Sequence, residues 1–213
     1  MKGRSLVSLI VTCAVLATGS LSVFAQSQRY PTDAELRQLS REFQQEIIPK
    51  AQQSRQFGSG QRHQALEAFT RAWSRIDPAT ASFLGSWTSG EDDLTIYPSV
   101  VPGRACVIWT LAAGSGKVNA FFSLGSASNG QLKVKSSGWY NNFLRDGGFL
   151  IRQGNYLGIA AVESDRPKIS LYSAFSQPLR AIETIPFATR EEKERVVRQF
   201  YAARCTVSLP NQR

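Results

Sequence analysis

A single histidine, His63, and three cysteines, Cys13, Cys106 and Cys205, bound the chemistry open to this 213-residue chain. Nucleophilic catalysis by serine or cysteine needs a base poised near neutrality. His63 lies between Arg62 and Gln64, off the apolar stripe of the helix it begins, and reads as a solvated surface residue. Two cysteines outside the first 25 residues cannot complete a structural zinc site without histidines, so no metal centre and no cofactor are expected. Carboxylates remain. Glu91-Asp92-Asp93 is the densest acidic group, and Asp146, Glu163 and Asp165 stand near other turns. A pair of these meeting in one cleft would make a hydrolase, but carboxylates at hairpin turns ordinarily form or cap the turn. The trio also lacks the alternating ligand spacing of a calcium loop. No catalytic residue is assigned.

Aromatic side chains offer more. The segment Ser137-Gly138-Trp139-Tyr140-Asn141-Asn142 mixes flat rings with amides near a turn. Such a surface stacks on a ligand while its amides hydrogen-bond the polar edge. Trp139, Tyr140 and Asn141 are therefore the candidate ligand-binding residues.

The elements that must position these residues follow from pattern. Residues 1–25 have the order of a cleavable export signal: Lys2 and Arg4, an apolar run from Leu6 to Phe24, then Val23-Phe24-Ala25 with cleavage expected after Ala25. Without Lys2 and Arg4 the chain keeps 23 basic against 16 acidic side chains, a balance of +7 rather than +9. That excess is spread along the whole chain, where a nucleic-acid binder concentrates it in a stripe or tail, so no nucleic-acid partner is expected. No later run is long and apolar enough for a transmembrane segment. Export to a periplasmic or secreted location makes the remaining pair, Cys106 and Cys205, a probable disulfide.

Residues 26–80 predict a helical hairpin. Thr32-Asp33-Ala34-Glu35 is a capping box, followed by the stripe Leu36, Leu39, Phe43, Ile47. Pro49 should kink or restart that helix, and Leu66, Phe69, Trp73 and Ile76 form a second stripe. Residues 81–205 change to a period of two, as in Leu132-Lys133-Val134-Lys135, with turn signals such as Pro102-Gly103, Asn129-Gly130 and Gly154-Asn155. The fold class is mainly β: a meander of about eight antiparallel strands forming a barrel, with a sandwich or curved α+β sheet as the alternative. One closing helix follows, beginning at the capping-box pattern Thr189-Arg190-Glu191-Glu192, with Cys205 at its end; residues 206–213 are a tail.

At the helix-to-strand boundary stands Phe83-Leu84-Gly85-Ser86-Trp87. Gly85-Ser86-Trp87 resembles the Gly-x-Trp motif with which calycins, the lipocalin-like barrels, begin their first strand. The resemblance implies that Gly85 lets the chain turn tightly into that strand and that Trp87 plugs the closed end. It further implies that a basic residue after the last strand, here Arg180, packs over the ring, and that the barrel holds a ligand cavity. The match covers five residues, the helical hairpin is an addition, and no lipocalin-type Thr-Asp-Tyr segment is present. The expected function is non-catalytic binding of a small apolar molecule or an envelope polymer. The alternatives are inhibition or scaffolding of a partner protein through the Ser27–Pro31 segment, and a carboxylate-dependent hydrolase.

Overall fold

Strict alternation of side chains makes each strand two-faced, and here both faces are used. The computed structural model describes residues 29–54, 64–135, 147–175 and 178–210. Its centre is a closed antiparallel barrel of eight strands in sequence order. These are β1 (Gly85–Thr88), β2 (Asp92–Pro98), β3 (Arg104–Gly114), β4 (Lys117–Ser128), β5 (Gln131–Val134), β6 (Gly148–Gln153), β7 (Tyr156–Glu163) and β8 (Arg166–Ala174). β8 returns to β1 through Trp87 opposite Ala174, so no edge is left open along the closing seam. The fold is therefore mainly β and the meander closes as a barrel, as expected, rather than as the alternative sandwich or curved α+β sheet. The turn between β4 and β5 shows why the spacing was legible. Asn129 and Gly130 both take positive φ, 50° and 72°, as the tight turns matching strand twist require.

The barrel interior is apolar and tight at one end. Trp87, Leu94, Ile96, Leu132, Val134, Leu150, Leu157 and Ile159 are wholly buried there. α3 (Gln64–Ser74) lays Phe69 and Trp73 across this closed end, continuous with Phe83 and Leu84. α4 (Pro78–Ala81) locks it, because the buried Asp77 accepts from Thr80 N and, at 2.7 Å, from Gly103 N in the β2–β3 turn.

The outer wall is covered twice. On one side α1 (Asp33–Glu42) sets Leu36 and Leu39 against Ile151 and Ala160. Its capping box forms as the sequence predicts, with Glu35 N donating to Thr32 Oγ1 and Thr32 N to Glu35 Oε2. Pro49 does not end this helix. The chain takes up the missing donor in a π-helical stretch, Phe43–Ile47, where Ile48 N reaches back to Phe43 O, and continues as α2 (Ile48–Ser54). Leu36, Leu39 and Phe43 of the first expected stripe and Leu66, Phe69 and Trp73 of the second are buried, but Ile76 lies beyond the end of α3 and is 57% exposed.

On the other side α5 (Arg190–Ala202) packs Val196 and Phe200 over Tyr97, Cys106 and Ile108. The Cys106–Cys205 disulfide fixes the end of this layer. Only half of the second capping box forms. Thr189 Oγ1 accepts from Glu192 N at 3.1 Å, but the Glu192 carboxylate turns to the Ala120 amide, while Arg195 donates to Ala120 O. β5 is too short to pair with that stretch of β4, and two side chains of α5 satisfy the backbone in its place.

Candidate functional site

Up-and-down connection puts the β1–β2, β3–β4, β5–β6 and β7–β8 connections at the end opposite α3. The interior changes character on the way there. Residues paired across an antiparallel ladder share a face, so the inward row Leu94, Ile96 of β2 continues to Asp92, and Val107 of β3 continues to Trp109 and Leu111. Trp109 pairs with Phe121, Val107 with Ser123, and Ile159 with Ser170, which places these inside as well. Below, the inward side chains are sealed. Above, Asp92, Trp109, Leu111, Ser123 and Ser170 are all half-buried. The barrel thus has an apolar, sealed base and, toward the other end (the mouth), inward residues that are partly exposed.

Asp92 organises the mouth. Its Oδ2 accepts from Trp109 Nε1 at 2.6 Å and from Tyr172 Oη at 3.0 Å, and its Oδ1 accepts from the Ser89 hydroxyl. Ser89 also receives the amides of Glu91 and Asp92, so the β1–β2 turn itself holds the carboxylate. The two rings meet edge to face, with centroids 6.0 Å apart at 89°. Burial, reinforced by the adjacent Asp92 charge, raises the Tyr172 phenol well above the usual tyrosine range. Tyr172 therefore stays a donor at any ordinary pH. Charge-assisted bonds to one fixed acceptor hold the indole and the phenol in place before anything binds. Among the described residues the site presents a rigid, largely apolar wall with hydroxyls at Ser123 and Ser170.

The acidic trio is split by strand alternation. Asp92 faces inward, Asp93 outward, and Glu91 lies exposed in the turn. Gly85 has φ 133°, and Trp87 is fully buried with its Nε1 donating to Phe83 O. The Arg152 guanidinium of β6 lies over the Trp87 ring, 5.9 Å from its centroid. Arg180 lines a groove on the outer wall, its carbonyl accepting from Tyr97 Oη at 3.1 Å. Trp139, Tyr140 and Asn141 lie outside the described residues, as do His63, Asp146 and the signal segment 1–25. Of Ser27–Pro31, the part described is packed down. Arg29 pairs with Glu35, Tyr30 donates to Val134 O under Lys133, and Pro31 is buried.

Sequence reasoning missed Asp92, Trp109, Phe121, Ser170 and Tyr172 as a group. The signal was present in Asp92-x-Leu94-x-Ile96, where a carboxylate shares the phase of the core residues. No protein-family model matches the chain, and neither does any curated protein or solved structure.

Proposed function

We propose that the mature chain is an exported, non-catalytic binding protein, a calycin-like barrel that receives a small, largely apolar ligand in its mouth. The observation that carries this reading is the change inside one barrel. Inward residues are all buried around Trp87, whereas toward the other end buried Phe121 and Tyr172 stand beside the half-buried Asp92, Trp109, Leu111, Ser123 and Ser170. A well-packed barrel without a ligand would fill its mouth as it fills its base. A ligand covering Trp109 and Leu111 gains about 25 cal/mol per Å² of apolar surface removed from water. Because Asp92 already fixes the rings, little of that gain is lost to ordering side chains. The Gly85-Ser86-Trp87 start, the closed eight-stranded meander and the disulfide support the calycin-like and exported parts of the reading.

The test is native mass spectrometry of the mature chain incubated with a library of lipids and pigments, repeated with Ser170→Leu. That substitution puts a branched side chain into the mouth and leaves the base untouched. The expected result is a stoichiometric adduct that the variant loses. Equal adducts on both proteins, or none on either, would contradict the reading.

A further inference from the structure

The outward face of β1–β3 carries a second cavity that the mouth does not explain. It measures about 230 Å³ and lies between that face and the segment from 178 to 186. Its floor carries the paired hydroxyls of Ser86 and Thr95 and, one position along the outward face, Thr110 opposite Asp93. Ser86 Oγ and Thr95 Oγ1 are 3.4 Å apart, and Thr110 Oγ1 donates to Asp93 O. The half-buried Asp93 carboxylate has no hydrogen-bond or ion-pair partner among the described residues. Arg180 stands on the opposite wall, held there because its carbonyl takes the Tyr97 hydroxyl. Phe175, 36% exposed, closes one side.

We propose that this groove binds one ring of a polyhydroxylated, sugar-like ligand, at a site independent of the mouth. Three simpler ligands fit the lining less well. An anion meets Asp93, and a cation meets Arg180. A purely apolar body would strand the unpaired Asp93 carboxylate, which is costly to desolvate without a partner. A sugar ring offers both donors and acceptors around its rim, matching a carboxylate and hydroxyls that can do either. It also offers a C–H face to lie on an aromatic ring such as Phe175. The volume supports a single ring, since it falls below the roughly 300–1,000 Å³ of drug-sized pockets. Open on one side, the groove could take the terminal ring of a longer glycan.

The experiment is a titration of isotope-labelled mature protein with a panel of methyl glycosides (glucoside, galactoside, mannoside and N-acetylglucosaminide), read from amide chemical shifts. At least one glycoside should give saturable shifts at Thr95 and Thr110. Asp93→Asn and Phe175→Ala should each weaken its Kd about fivefold or more, as losing a hydrogen bond to a charged group or an aromatic contact implies. The buried Trp87 indole signal checks that each variant remains folded. No saturable shift from any glycoside, shifts confined to Trp109 and Ser170, or undiminished binding in both variants would overturn the proposal.

Discussion

Removing the Asp92 carboxylate should unfix two rings at once, and its cost can be worked from their surroundings. In Asp92→Ala, Trp109 Nε1 and Tyr172 Oη lose their common acceptor. Tyr172 is 3% exposed, so its hydroxyl is left unsatisfied at about 1–3 kcal/mol. Trp109 is half-buried and open to the mouth, so water replaces the carboxylate there and the loss is nearer ~0.5–1 kcal/mol. The sum is about 1.5–4 kcal/mol. Asp92→Asn should cost only about 1 kcal/mol, because the amide oxygen can take both donors while its NH₂ faces the Ser89 hydroxyl. In a double-mutant cycle, adding Tyr172→Phe to Asp92→Ala removes the orphaned hydroxyl, and the second step should cost at least about 1 kcal/mol less than Tyr172→Phe alone. Urea unfolding reads all four proteins, with a shift in midpoint at constant slope. An Asp92→Ala cost below about 0.5 kcal/mol, or an additive cycle, would refute the assigned network.

Three further outcomes follow from the packing. Burial first, and a neighbouring charge second for Tyr172, raise the phenols of Tyr97 and Tyr172 above the ordinary range. Their contribution is constant below the unfolded value near 10. Above it the unfolded chain ionises while the folded one does not, so stability should fall by about 2.7 kcal/mol per pH unit for the pair. Denaturant titrations on either side of that value check the slope, and Tyr97→Phe should halve it. Gly158→Ala should destabilise by about 1–3 kcal/mol, because its Cβ would stand 2.8 Å from Ile169 Cδ1 and 3.1 Å from the buried Phe43 ring. Amide exchange should rise first in α1 and the π-helical stretch. Replacing Cys106 and Cys205 by alanine opens a link across a separation of 99 residues. Thermal unfolding should show a loss of up to about 4.7 kcal/mol, with α5 still docked through Val196 and Phe200.

What the sequence made legible was whatever depended on local pattern. Alternation with Asn129-Gly130 and Gly154-Asn155 marked strands and turns, and Thr32–Glu35 marked a helix start, because those signals act within a few residues. The Cys106–Cys205 pairing followed from the even count left once residues 1–25 are read as an export signal. Harder to read was anything decided by a competing long-range contact. Glu192 abandons its capping box for Ala120 because the short β5 leaves that amide unpaired, and Pro49 is absorbed by a π turn because Phe43 and Ile48 are both held against the barrel. The mouth needed closure of the barrel to exist. Asp92, Trp109 and Tyr172 come from β2, β3 and β8, and only the β8–β1 seam brings the last of them to the first two. Aromatic content therefore pointed to Trp139-Tyr140-Asn141, where neighbours in sequence are aromatic. The assembled site draws on single residues spaced along 80 positions, from Asp92 to Tyr172.

The central claim is that a ligand enters the mouth and stops above the Trp87 layer. Indole N–H resonances test it directly, since three described tryptophans report from different depths. Trp109 donates to Asp92 in the mouth, whereas Trp87 donates to Phe83 O and Trp73 to Ser208 O at the closed end. Titration with whichever lipid or pigment the mass-spectrometric library retains should shift the Trp109 resonance saturably and leave Trp73 and Trp87 in place. A ligand that binds yet moves only Trp73 or Trp87, or leaves Trp109 unchanged at saturation, would contradict the account.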